Sequence, residues 1–429
     1  MNQAKYSQWP APLATHALNA TVTLPGSKSL TNRELILAAI ADSPTAFSGA
    51  LISRDTQLMM AALVQMGCQI SATDQAEFTL TPGLGTANAS IDCGLAGTVM
   101  RFVPPLATLN NGRITFDGDE GARLRPMDTT ITSLRSLGVE VEAEGLSLPF
   151  TVSSDGSVAG GELSIDASSS SQFVSGLLLV APRFQNGLTL RHTGEHLPSV
   201  PHIEMTLECL RQRGAQVSTP EPGVWRVEPG IVQGGSKQIE PDLSNAGPFL
   251  AAAMVAGGSV TIPDWPSNTT QVGDQFADIL VRMGARVERL TDGLKITGDG
   301  SIKGIDIDLS EGGELAQVVA ALAVLADSPS TIRGIRHIRG HETDRIKAMA
   351  AEINRIGGDA EETEDGWIIR PTENLKGDLW HTYEDHRMAT AGAIIGLKVP
   401  GMLIENVETT SKTMPEFTSL WVGMLEANA

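Results

Sequence analysis

The sequence predicts an α+β protein built from six repeated units, grouped as two lobes of three. Two recurring patterns and their spacing carry this. One is an apolar helix end, a glycine and an alternating strand: MGCQI at Met66, LGVEV at Leu137, RGAQV at Arg213, MGARV at Met283 and IGGDA at Ile356. Its glycines, Gly67, Gly138, Gly214, Gly284 and Gly357, are separated by 71, 76, 70 and 73 residues. The other is a small or polar cluster opening a helix rich in Ala, Leu and Val. It occurs six times, and 429 residues shared among six units give about 72 each, in step with the glycine spacing.

Each element follows from its local chemistry. A glycine directly after a helix end is a left-handed cap, so each copy of the first pattern reads as helix, cap, strand. The second set of helices comprises SKSLTNRELILAAIA, GLAGTVMRFVPPLATL, SSSSQFVSGLLLVA, SNAGPFLAAAMVAG, GELAQVVAALAVLA and EDHRMATAGAIIGL. These are apolar on nearly every face, which predicts burial. Their polar, glycine-rich first turns leave backbone N–H groups able to face an anion. Alternating strands are expected at GRITFDG, ELSIDA, LTLRHTG, SVTIPD, GIDIDLS and GMLIENV. Six helices against five glycine caps leave the last unit short, so the two chain termini are expected to complete it together.

Composition narrows the function. The formal charge is −19 and only 4% of residues are aromatic, which argues against a phosphate-backbone binder or a base-stacking platform. A small anionic substrate must then be held by local cations working against the global field. Cys68, Cys93 and Cys209 are too widely spaced for a local zinc motif and suit a reducing compartment. The N-terminal twenty residues lack the apolar core of a signal peptide, and the longest apolar run, Leu315 to Ala326, is too short for a bilayer span. A cytoplasmic protein without nucleic-acid or membrane partners is expected.

Several motifs then stand in order. LPGSKSLTNRELILAAIA runs from Leu24, CGLAGTVMRF surrounds Gly97, and SSSSQF surrounds Gln172. HETDRI surrounds Glu342, DHRMA surrounds His386, and SKTMPEF places Lys412. The Gly-Ser-Lys-Ser opening lacks the earlier glycine of a nucleotide-hydrolase phosphate loop, so ATP binding is not indicated. Across nearly the whole chain this ordered set resembles the enolpyruvylshikimate-phosphate synthases. The resemblance implies their two-lobed fold, an inside-out α/β barrel of six βαβαββ units, with the active site in the cleft between lobes. It also implies a chain that crosses between lobes near Leu24 and Asp242. Residues 1–24 and 242–429 would form one lobe and residues 25–241 the other.

The resemblance further implies transfer of the enolpyruvyl group of phosphoenolpyruvate to the 5-hydroxyl of shikimate 3-phosphate, with release of phosphate and through a tetrahedral intermediate. Shikimate 3-phosphate would meet Lys28, Ser29, Arg33, Ser170, Ser171, Gln172, Ser199, Glu314 and His341. Phosphoenolpyruvate would meet Lys28, Gly97, Arg125, Gln172, Arg345, His386, Arg387 and Lys412. Glu314 would accept the hydroxyl proton, and Glu342, His341 or Lys412 would protonate the methylene carbon, with Lys28 assisting. No metal or organic cofactor is called for, and a monomer is expected.

Four positions depart from the family's usual residue. Leu95 stands for Asn, Phe102 for Pro, Glu314 for Asp and His341 for Lys. Leu95 offers only its backbone, whereas Glu314 and His341 keep a proton acceptor and a titratable group. The spacing of His341, Glu342 and Arg345 would let all three share one helical face. Two alternatives use the same features: a UDP-N-acetylglucosamine enolpyruvyl transferase, and a catalytically impaired anion-binding paralogue.

Overall fold

A computed structural model of the chain describes residues 6–72, 76–86 and 88–427. The chain divides into two compact units, Met1–Pro25 with Pro241–Ala429, and Gly26–Glu240. Each has its own apolar core.

Among the described residues, and apart from the four-residue helix Glu120–Arg123, twelve α-helices fall into two sets. The odd-numbered ones are the apolar helices: α1 (Lys28–Ala39), α3 (Gly97–Ala107), α5 (Gln172–Val180), α7 (Leu243–Ala256), α9 (Ala316–Val324) and α11 (His386–Gly396). They are buried along almost their whole length. That is the expected fate of helices without a polar face. Between them lie α2 (Arg54–Gln65), α4 (Asp128–Ser136), α6 (Val200–Gln212), α8 (Phe276–Arg282), α10 (Arg345–Arg355) and α12 (Phe417–Glu426). These are amphipathic, with buried and exposed residues interspersed. The five repeat glycines follow α2, α4, α6, α8 and α10, all with φ between +81° and +110°. A Cβ would be disfavoured there, which is why the repeat is punctuated by glycine.

Each unit of the repeat also supplies a small sheet. In one, Ala89–Asp92 runs parallel to Asn111–Asp117, which pairs antiparallel with Phe150–Asp155 and so leads to Glu140–Ala143. The same one-parallel, two-antiparallel pattern recurs in four more four-stranded sheets. The sixth has three strands, with Leu379–Trp380 parallel to Leu403–Glu405 and Gln8–Pro10 antiparallel on the other side. The N-terminal segment therefore completes the last unit, as the missing sixth glycine cap suggests. It also adds Leu18–Thr21 beside Gly258–Pro263.

Close helix packing relies on small residues. A Cβ on Gly176 of α5 would lie 2.2 Å from the carbonyl oxygen of Arg101 on α3. Only glycine lets these two helices approach at that point, and their neighbouring first turns carry Gly97 and Gln172.

Candidate functional site

In the unit Gly26–Glu240, candidate residues gather at the starts of α1, α3, α5 and α6. Ser27 caps α1, accepting from the Leu30 N–H. The cap fixes Lys28 as the first helical residue, and its ammonium lies 3.4 Å from the buried carboxylate of Asp55, in the first turn of α2. Arg33, one turn further along α1, is 1% exposed. Its guanidinium donates to the Ser29 carbonyl at 3.0 Å, the Thr206 hydroxyl at 2.8 Å and the His202 carbonyl at 2.9 Å. Arg33 thus ties α1 to α6, whose N-cap is Ser199 in the left-handed region (φ 53°). Its guanidinium also lies 5.3 Å from the Phe102 ring centroid. The departure at position 102 therefore supplies a cation–π surface for Arg33.

Gly97 opens α3. A Cβ there would lie 3.1 Å from Arg101 Nη1 and Gln172 Oε1, and 3.2 Å from Arg125 Nη2. Three polar side chains from separate segments thus converge on a backbone without a side chain. Arg125 donates to the Leu95 carbonyl at 3.3 Å, so Leu95 takes part through its backbone. Ser170 accepts from the Gln172 N–H at 3.2 Å, and Ser171 is the buried residue just before α5. Among the described residues, Gln172 Oε1 and Arg125 Nε are buried and have no hydrogen-bond partner. Such groups beside an open backbone suit an incoming polar ligand.

In the other unit the network centres on Arg345. It is 3% exposed and donates to Asp385 at 2.6 and 3.1 Å, to Glu342 at 2.9 Å, and lies 3.0 Å from His341 Nδ1. Burial pulls the Arg345 pKa down, but the carboxylates of Asp385 and Glu342 outweigh this and hold it above the ordinary arginine value. Glu342 also accepts from Lys412, itself buried. Asp385 caps α11 by accepting from the Arg387 N–H at 2.8 Å, which fixes His386 and Arg387 at the start of that helix. Arg387 donates to the Ser244 carbonyl at 2.9 Å, and the Ser244 hydroxyl donates to Glu314 at 3.2 Å. Burial lowers the Arg387 pKa, against the opposing charges of Asp242 and Glu314. Six candidates of this unit, Glu314, His341, Glu342, Arg345, Arg387 and Lys412, therefore join one network, and His386 lies against it with its Nδ1 3.8 Å from Asp385.

One local expectation is corrected. His341 and Glu342 do not share a helical face with Arg345, because α10 begins at Arg345 with Asp344 as its N-cap. The Asp344 side chain accepts from the Lys347 N–H and stops the helix there, leaving His341 and Glu342 on the preceding turn. They reach Arg345 by side-chain contact instead.

Residues 13–421 match the family described as EPSP synthase (3-phosphoshikimate 1-carboxyvinyltransferase). The chain belongs to the EPSP synthase family. One curated relative is the 3-phosphoshikimate 1-carboxyvinyltransferase of Kocuria rhizophila. It is 51% identical over 437 residues, which cover 99% of this chain and 98% of the relative. Two solved structures of the Acinetobacter baumannii EPSP synthase share the fold, each at 25% identity, with TM-scores of 0.81 and 0.79. The first alignment covers 96% of this chain and 97% of that one, the second 95% and 96%. The six-unit α+β architecture is thus that of the EPSP synthases. Sequence reading missed Asp55, Ser244, Thr206 and Asp385 within this EPSP synthase chain. Of these, only Asp385 had a local signal, as the acidic residue before a helix start.

Proposed function

We propose that this chain transfers the enolpyruvyl group of phosphoenolpyruvate to the 5-hydroxyl of shikimate 3-phosphate, releasing phosphate. The observation that carries this is the full-length, 51% identical relative named for that activity. The same relative speaks against the UDP-N-acetylglucosamine reading. A complete acid–base and cation set, with Glu314 and His341 chemically competent, speaks against an impaired paralogue.

Shikimate 3-phosphate is held by Lys28, Ser29, Ser170, Ser171, Gln172 and Ser199, with Arg33 fixing the Ser29 carbonyl and the start of α6. Hydroxyls and N–H groups at helix starts suit its phosphate. Phosphoenolpyruvate is held by Lys28, the bare backbone of Gly97, Arg125, Gln172, Arg345, His386, Arg387 and Lys412. Glu314 accepts the 5-hydroxyl proton as that oxygen attacks the central carbon of phosphoenolpyruvate, and His341 binds shikimate 3-phosphate. Glu342, His341 or Lys412 protonates the methylene carbon, and a tetrahedral adduct forms. The group that gave that proton, now its conjugate base, then takes a proton back from the methyl carbon, which expels phosphate by carbon–oxygen cleavage and restores the enol ether. The cations offset charge on phosphate and carboxylate throughout. The protein acts as a cytoplasmic monomer in this reading. Phosphate release that requires both substrates together is the expected assay result; release with either one alone, or with neither present, would reject the reading.

A further inference from the structure

Arg345, His386, Arg387 and Lys412 lie on three different segments, so a cation cluster forms only if the connections between them are fixed. The connection into α11 is unusual. Tyr383 and Glu384 are consecutive, both carry side chains, and both have positive φ, 55° and 58°. A left-handed pair of this kind is disfavoured and persists only where its surroundings hold it.

Three sets of contacts hold it. The Tyr383 hydroxyl donates to Glu352 Oε1 at 2.7 Å, and the His381 N–H donates to Glu352 Oε2 at 3.0 Å. Glu352 is fully buried and also accepts from Arg355 at 3.0 Å. The Thr409 hydroxyl, in the turn Val407–Lys412, donates to the Glu384 carbonyl at 2.8 Å, while the Tyr6 hydroxyl donates to the Glu384 carboxylate. Directly after the pair, Asp385 receives Arg345. Glu352 follows Arg345 by seven residues, two turns along α10, so both face the same way. Helix α10 therefore grips the segment at two points, through Glu352 at His381 and Tyr383 and through Arg345 at Asp385.

We propose that Glu352 and Tyr383 are positioning residues for phosphoenolpyruvate: they hold the Tyr383–Glu384 turn in the left-handed form that brings His386 and Arg387 into register with Arg345 and Lys412. This rests on the reaction proposed above. The phenol keeps its donor proton across ordinary assay pH, because burial first and the Glu352 hydrogen bond second push its pKa up to about 12.

The test uses the full chain with Tyr383→Phe, which removes one hydroxyl, and Glu352→Gln. Turnover, both KM values and the thermal midpoint are measured. KM for phosphoenolpyruvate is expected to rise about ten-fold in Tyr383→Phe, the worth of one hydrogen bond to a charged group. KM for shikimate 3-phosphate should stay within about two-fold, since most residues assigned to it lie in the other unit. Adding Glu384→Gly, which relieves the left-handed cost, should recover much of the loss. An unchanged KM for phosphoenolpyruvate in Tyr383→Phe would overturn the proposal. So would equal rises in both KM values with a falling thermal midpoint, the mark of a merely structural role. Absence of turnover in the unaltered chain would overturn the reaction and this proposal together.

Discussion

Glu314, the proposed proton acceptor, illustrates how one side chain is oriented by its neighbours. It sits on the short 3-10 turn Gly313–Leu315 that precedes α9, and the Ser244 hydroxyl holds one carboxylate oxygen at 3.2 Å. The hydrogen bond fixes the orientation of the carboxylate. Glu314→Gln preserves size and most hydrogen bonding but removes the proton acceptor. Turnover should therefore fall by about 10²–10⁴ while shikimate 3-phosphate binding changes little. Steady-state kinetics with a separate equilibrium titration of shikimate 3-phosphate checks this, and a turnover loss under three-fold would remove Glu314 from the proton-accepting role. At this scale the sequence motifs carried most of the candidates, because these lie in short ordered signatures, whereas Arg125, Ser199 and Glu314 lie outside them. Their partners were invisible: Asp55 and Ser244 reach Lys28 and Glu314 from 27 and 70 residues away.

Among the elements, α1 shows how a helix that carries candidate residues at its start is anchored along its middle. Glu34, with no exposed side-chain surface, meets Arg213 at 2.6 Å and Lys237 at 2.9 Å. Arg213 follows α6 and also donates to the Thr45 hydroxyl and the Gln233 carbonyl. Arg213→Leu leaves the buried carboxylate with a single, partly exposed cation. It should cost about 3–5 kcal/mol, whereas the double change Glu34→Leu with Arg213→Leu should recover most of that. Thermal or urea unfolding of both variants measures the difference; equal losses in the two would show that the carboxylate is not what makes the single change costly. Helices and their glycine stops were readable because burial and cap chemistry are local. The turn bearing His341 and Glu342 was not, since the i, i+3 and i, i+4 spacing that suggests a shared helical face also fits a turn closed by the Asp344 cap.

For the whole molecule, the sixfold spacing disclosed the architecture, including the completion of the last unit by the N-terminal strand. What spacing could not disclose is which strand of one repeat joins the sheet of another. Gly235–Gln238, for example, returns to pair with Thr45–Ser48 across nearly 200 residues of chain. That return gives Gly26–Glu240 a complete sheet set and its own core. Expressed alone, residues 26–240 should fold cooperatively; a non-cooperative thermal melt by circular dichroism would contradict this. In the proposed reaction the carbon–oxygen bond of phosphoenolpyruvate breaks, not its phosphorus–oxygen bond. Phosphoenolpyruvate carrying a heavy oxygen isotope in the bridging position, turned over with shikimate 3-phosphate, tests it most directly. Mass spectrometry should find the label in the released phosphate and none in the enolpyruvyl ether. Unlabelled phosphate, or label retained with the pyruvyl carbon, would contradict the account.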